Sequence, residues 1–251
     1  MMRFITNTLS FLWKTWFIIY MFMSTLFFYP FLVISIVLLK NYDLTYKIYR
    51  SWAWSICFFI GVFPRISNKH LIPQEGNFIL VANHSSQLDI IVPYTKFKQH
   101  FAFLAKEELK KLPFFNINFK GMNVTVDRKS MVSGTSSLKE CTDKLKQGIS
   151  LLIFPEGTRS KKAPEMRPFK SGPFKLAIEN QTSIVPLVFL DNHKRLAGGR
   201  KAFEGGAGPG ISRMIVLDPI STVGMTIKDL ADLKAKTTHV MKAVIDEHNG
   251  N

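Results

Sequence analysis

From Thr15 to Leu39 the chain runs 25 residues without a charged side chain, more than the roughly 20 a helix needs to cross the hydrocarbon core of a bilayer. A secretory signal fits poorly: its apolar core would be about 7–15 residues and end on small side chains, whereas Ile36 to Leu39 is bulky and runs into Lys40. Pro30 removes one backbone donor within the run and is expected to bend it. A second apolar stretch, Ser51 to Phe63, is shorter. Together they predict an N-terminal membrane-anchoring helical pair over residues 1–63. Buried helices of a soluble protein are the alternative, disfavoured because an uncharged run of this length is rare outside bilayers. Arg3 and Lys14 precede the run and Lys40, Lys47 and Arg50 follow it, so basic residues set no orientation, and a re-entrant anchor fits as well as a span.

After Pro64 the pattern changes to short β-rich stretches separated by longer amphipathic ones. Strands are expected at Asn77–Ala82, Phe101–Ala105, Asn123–Asp127, Ser150–Phe154, Ser183–Phe189 and Arg213–Leu217, with helices at Gln87–Lys96, Met131–Gln147, Ser171–Glu179 and Ile227–Asp246. This alternation predicts an α/β domain over residues 64–251, a largely parallel sheet flanked by helices, with ligand sites at the carboxyl ends of strands. No internal repeat interrupts it. Gly198 to Gly210 reads as an irregular loop, because it lacks the glycine spacing of a phosphate cradle.

Composition narrows the partners. Lys and Arg number 33 against 18 Asp and Glu, a formal charge of +15, which favours an anionic partner. The 22 Phe residues and 47% hydrophobic content are high for a nucleic-acid binder, so an anionic membrane surface leads and nucleic acid is set aside. Trp13, Trp16, Trp52 and Trp54 all flank apolar runs, as interface-anchoring rings do. Cys57 and Cys141 stand apart, with no spacing that supports a disulfide framework or a metal site, and read as thiols of a reducing compartment.

Two constellations carry chemistry. Asn83-His84-Ser85-Ser86-Gln87-Leu88-Asp89 directly follows the first expected strand. Across a strand-to-helix turn the Asp89 carboxylate can fold back onto the His84 imidazole and fix its tautomer, leaving the other ring nitrogen to accept a proton. No nucleophile elbow surrounds Ser85 or Ser86, so direct attack by a substrate hydroxyl is favoured over a serine nucleophile. Phe154-Pro155-Glu156-Gly157-Thr158-Arg159-Ser160 leaves another expected strand in the same way. Arg159 offers a planar fork for a phosphate, Gly157 allows close backbone approach, and Glu156 is expected to bind a polar head or orient Arg159.

With these two motifs in this order, the chain resembles the phospholipid and glycerol-phosphate acyltransferase family over roughly Phe78 to Phe189. His84 to Asp89 fits the family's NHxxxxD motif and Phe154 to Ser160 its FPEGTRS motif. Gly121 to Arg128 is similar to a third block, with Asn123, Val124 and Thr125 replacing its hydrophobic-aromatic centre, and Ile184-Val185-Pro186-Leu187 is similar to a fourth. The resemblance implies that His84 and Asp89 are catalytic. It also implies that Lys106, Arg128, Glu156, Gly157, Thr158 and Arg159 bind substrate, with no metal and no cofactor beyond a thioester co-substrate. That co-substrate would be acyl-CoA or acyl carrier protein, and the acceptor a membrane lipid, 1-acylglycerol-3-phosphate. The implied location is the cytoplasmic membrane, with the catalytic domain facing the cytoplasm. Another lysophospholipid or amino-lipid acceptor, or a non-catalytic basic surface binder, remain the alternatives at this point.

Overall fold

The computed structural model describes residues 2–111, 114, 116–126, 131–197 and 206–249, with side chains for residues 5–111, 114, 116–126, 136–197 and 206–249. Helix α1 spans Met2–Val33, passes through Pro30, and widens to a π-helical turn over Ile34–Leu38. Its stretch Ile5–Leu38 is long and apolar enough to cross a membrane by length and composition, and little of it is buried within the protein. Helix α2, Tyr42–Phe59, starts where the Asn41 side chain accepts from Leu44 N at 2.9 Å, the usual way of satisfying an orphan first-turn donor. Tyr46, Tyr49, Ala53, Ile56 and Cys57 recur at helical spacing and are buried, so one face of α2 belongs to the protein core while Trp54, Phe58 and Phe59 stay exposed.

The tryptophans expected as interface anchors also hold the helical pair together. The Trp13 and Trp16 indoles donate to Ile60 O and Phe59 O, each at 2.9 Å, at the end of α2. Trp52 donates to Ser24 Oγ at 3.0 Å. Helix C-termini leave carbonyls without intrahelical partners, and two of these indoles satisfy them. Trp54 instead lies under the Lys96 ammonium, 4.9 Å from the ring centre.

The remaining elements are β1 (Val62–Ser67), β2 (Ile79–Ala82), α3 (Leu88–Lys96), β3 (Phe101–Lys106), β4 (Val124–Val126), α4 (Met131–Lys146), β5 (Ser150–Ile153), α5 (Gly172–Glu179), β6 (Ile184–Phe189), a single turn α6 (Asn192–Arg195), β7 (Gly210–Val216) and α7 (Leu230–Asn249). The strands form one sheet in the order β1-β7-β6-β2-β5-β3-β4, parallel except for the β6–β7 pair. The α/β expectation therefore holds. One strand escaped the sequence reading: β1 contains Pro64, which cannot donate to a ladder and is tolerated because β1 is an edge strand. The boundary drawn at 63/64 falls inside this strand. Residues 198–205 of the expected glycine-rich loop, and Asp127 at the end of the expected strand Asn123–Asp127 in the third block, lie outside the described residues.

Both faces of the sheet are covered, which is why its central strands read as continuous apolar runs. Along β2, Leu80 and Ala82 join the core beneath α1, α2 and α3, while Ile79 and Val81 join the core on the opposite face with residues of α4, α5 and α7. Each of Ile79, Leu80 and Val81, fully buried, contributes roughly 1.5–3 kcal/mol. The first core runs without a break from Phe17, Leu32 and Ile36 into the sheet, so the N-terminal pair sits directly on the α/β layer.

His100, at the entrance to β3, is half-buried against the Tyr46 ring, with centroids 4.9 Å apart. Burial, with Lys144 nearby, pulls its imidazole from the ordinary 6.5 down to about 4. The folded ring therefore stays neutral where the unfolded ring takes a proton, so stability is intact above pH 6.5 and is lost as pH falls from there toward 4. His100→Gln is expected to flatten that part of the curve, read as the difference in melting temperature between pH 4.5 and 7.

Candidate active site

The sheet order decides the site. Strands β6, β2, β5 and β3 are consecutive and parallel, so their carboxyl ends open side by side, and the segment leaving each contributes a polar group. From β6 comes Asn192, from β2 His84 and Asp89, from β5 Glu156 to Arg159, and from β3 Lys106.

Asp89 is fully buried on the first turn of α3. Its Oδ2 receives His84 Nδ1 at 2.9 Å and the backbone N–H groups of Ser85 and Ser86, both at 2.7 Å. Its Oδ1 receives Asn192 Nδ2 at 2.8 Å, and Asn192 Oδ1 in turn accepts from Ser212 Oγ at 2.5 Å. A buried carboxylate is costly unless such donors replace water. Four of them hold it here, and the loop they tighten aims the imidazole. An ionised carboxylate only accepts, so Nδ1 carries the proton and Nε2 is the acceptor left for a substrate. The ring stacks on Phe154, with centroids 4.1 Å apart and planes 17° from parallel. His84 is thus fixed by a ring below and a carboxylate beside it.

Glu156 makes backbone contacts that the sequence reading did not anticipate. It is buried, and its carboxylate accepts from His84 N at 2.7 Å and from Arg167 N at 2.9 Å. It ties the two motif turns together, and it is not among the residues that line the cavity described below. Burial pushes its carboxyl above the usual range, against the pull of the Arg167 and His84 backbone donors. A further stitch runs from Ser160 N to His84 O at 2.7 Å, and Asn83 pairs its side-chain amide with both backbone groups of Phe189, at 2.8 and 3.0 Å. Gly157 sits at φ +70°, a backbone conformation that favours glycine.

A cavity of about 380 Å3 opens between this site, α2 and α3. His84, Lys106, Thr158 and Arg159 line it together, with Tyr94 and Phe103 among its aromatic walls. Four of the residues picked from sequence thus share one hollow. Lys106 is exposed and paired with Glu108 at 2.6 Å, a contact weak enough in water to be exchanged for a phosphate. Asn123, the departure noted in the third block, also lines the cavity, while its side chain bridges Phe103 N and Asn118 O. Arg128 lies outside the described residues. Asn192 and Ser212 were missed from sequence, since no local motif marks them; Asn192 reaches Asp89 only through the sheet, and Ser212 supports Asn192 in turn.

A family model described as Acyltransferase matches residues 64–190. The 1-acyl-sn-glycerol-3-phosphate acyltransferase of Helicobacter pylori is 37% identical over 123 residues, covering 48% of this chain and 52% of that protein. The chain thus aligns with about half the length of that bacterial relative. The mouse 1-acyl-sn-glycerol-3-phosphate acyltransferase alpha is 28% identical over 204 residues, 80% of this chain and 70% of that one. Among solved structures, the 1-acyl-sn-glycerophosphate acyltransferase from Thermotoga maritima superposes with a TM-score of 0.69 at 24% identity, covering 92% of this chain and 96% of that chain. At that identity the likeness speaks for a shared fold.

Proposed function

The chain belongs to the acyltransferase family, and on that premise we propose that it transfers a fatty acyl group from acyl-CoA or acyl carrier protein to the free hydroxyl of 1-acylglycerol-3-phosphate, forming phosphatidic acid. The observation that carries this reading is the convergence of His84, Arg159 and Lys106 on one largely apolar cavity, a base and two cations around a space suited to a lipid.

In the proposed step Nε2 of His84 takes the hydroxyl proton as the oxygen attacks the thioester carbonyl. The new C–O bond forms, the C–S bond breaks, and the imidazolium returns its proton to the departing thiolate. Asp89 steadies the imidazolium charge throughout. Backbone amides around Gly157 are the proposed donors to the developing oxyanion, and Arg159 with Lys106 holds the acceptor phosphate. Arg128 would add a third cation. The step balances without metal, cofactor or covalent enzyme intermediate.

Helices α1 and α2 are proposed as the membrane anchor, placing the α/β layer at the cytoplasmic membrane on its cytoplasmic side. The exposed apolar residues of α1, Phe22, Phe27 and Phe31 among them, support insertion into lipid. The +15 formal charge would draw the protein to an anionic surface. This arrangement delivers a membrane-resident acceptor to His84 by proximity.

Purified protein in detergent, given 1-acylglycerol-3-phosphate and either donor, should form phosphatidic acid. Absence of product with both donors would overturn the reading. Arg159→Ala is expected to raise the acceptor KM about tenfold or more while lowering kcat less, because phosphate contacts act mainly on binding. An unchanged KM would remove Arg159 from that role.

A further inference from the structure

Strand β7 runs antiparallel to β6, with Leu187 opposite Val216, Val188 opposite Ile215 and Phe189 opposite Met214. Its earlier residues therefore lie beside the chain that leaves the carboxyl end of β6. A parallel neighbour would end there and present a loop. Ser212 and Arg213 are also in register with Pro64 and Arg65 of β1, so the support beside the site is the interior of a strand with a neighbour on each side. The turn α6 is fastened to it residue by residue. Leu190 N donates to Arg213 O at 3.1 Å. Asp191, buried, accepts the Arg213 guanidinium at both carboxylate oxygens, each at 2.8 Å, and Arg213 N at 3.0 Å. Such a two-pronged contact fixes direction as well as distance. Asn192, fully buried, accepts from the equally buried Ser212 Oγ through its Oδ1, which turns its amide N–H toward Asp89 Oδ1. The Ser212 hydroxyl thus decides which end of the amide faces the carboxylate.

The donors to Asp89 divide unequally. Oδ2 has three, all from residues 84–86 of the same loop, and these orient the carboxylate within that loop. Among the described residues Oδ1 has one, from Asn192. On the other flank, His84 N and His84 O are tied to Glu156 and Ser160 after β5. The His84–Asp89 pair is therefore held between two anchors, and Asn192 is the one that reaches the carboxylate. Without its N–H, one oxygen of a buried anion has no donor, a costly state. Any rotation of the carboxylate that regains a donor for that oxygen takes Oδ2 away from the imidazole.

We propose that Asn192, locked by Ser212, is a positioning residue for acyl transfer: it holds the Asp89 carboxylate at the angle that keeps His84 Nδ1–H donating and Nε2 aimed into the cavity. Asn192 does not line that cavity, so it touches neither substrate and acts through Asp89. The inference rests on the acyltransferase reading above and deepens it by extending the catalytic pair to a strand more than 120 residues further along the chain, from Asp89 through Asn192 to Ser212.

The test compares Asn192→Leu, which keeps the shape of the side chain and removes its donor, with Thr237→Val. The latter removes a buried hydroxyl of α7 from its bond to Leu233 O, in the core on the opposite face of the sheet. In Asn192→Leu kcat should fall about tenfold to a hundredfold, the worth of one hydrogen bond to a charged group, while the KM of each substrate stays put. Thr237→Val should lose stability and keep kcat. A reading independent of turnover is the His84 Nδ1 proton in the NMR spectrum, a far-downfield resonance assigned by its absence from His84→Ala. It should move upfield or broaden by exchange in Asn192→Leu and stay in place in Thr237→Val. If Asn192→Leu does not fold, Ser212→Ala carries the same readings with a smaller fall in kcat. An unmoved resonance, an unchanged kcat, a rise in either KM that matches the fall in kcat, an equal loss in Thr237→Val, or no such resonance in the wild type would each overturn the assignment. Wild-type protein that forms no phosphatidic acid ends the proposed function alone, and the resonance then decides whether Asn192 holds the pair.

Discussion

Replacing His84 with alanine is expected to lower kcat by about 10²–10⁴-fold, the usual worth of a positioned general base, while 1-acylglycerol-3-phosphate still binds. The separation follows from the geometry. Among the described residues lining the cavity, His84 is the imidazole, its free nitrogen an acceptor backed by a buried carboxylate, whereas the cations Arg159 and Lys106 stand on other strand exits. Removing the ring takes away the proposed proton acceptor and the stack on Phe154, and leaves Arg159 and Lys106 in place for the proposed phosphate contacts. The measurement is turnover against lipid binding in the same detergent preparation. Activity within tenfold of wild type would show that another group takes the proton and would end the mechanism proposed above. A parallel loss of binding would mean that the ring shapes the pocket and is more than its base.

Asp89→Asn should damage both chemistry and fold. Asp89 accepts four hydrogen bonds, three at one oxygen and one at the other. An amide offers one acceptor oxygen and turns an N–H toward donors on its other side. If its oxygen keeps the Ser85 and Ser86 amides, its nitrogen faces the Asn192 amide, and a fully buried site has no water to relieve the clash. Hydrogen bonds to charged groups are worth about 1.5–3 kcal/mol each, so losing the equivalent of two costs at least about 3 kcal/mol. In a chain of this size that lowers the melting temperature by roughly 6–12 °C. The neutral side chain also no longer steadies an imidazolium, so kcat should fall by about 10²–10⁴-fold in protein that is still folded. Thermal denaturation and turnover measured on one preparation check both arms. A variant as stable as wild type would mean that the site relaxes to pair the amide, contrary to the tight network described.

These two outcomes rest on groups that differ in how visible they are along the chain. His84 and Asp89 are five residues apart, and a strand-to-helix turn is enough to let them meet, so their pairing was readable before any fold was known. The strand exits after Ala82 and near Phe154 were readable too, because buried parallel strands leave unbroken apolar runs ended by polar residues and glycine. Likewise, an uncharged run the length of Thr15 to Leu39 announces itself by composition. Pro64 hid β1, since proline argues against a strand everywhere except at an edge, and edge position is a property of the finished sheet.

What the linear order of residues determined, then, was local: which segments, β1 apart, are helix or strand, which turns carry His84, Asp89 and Arg159, and that the N-terminus is long and apolar enough to cross a bilayer. Strand adjacency was decided only by the packed sheet, where β2 lies between β5 and β6. That adjacency sets Glu156 under the backbone of His84 and brings Asn192, 103 residues along the chain, onto Asp89. The physical reason is that hydrophobic periodicity records which side of an element faces a core, but not which element lies beside it. That choice is made by the collective burial of both faces of the sheet, and the polar groups that meet at its edge meet as a consequence.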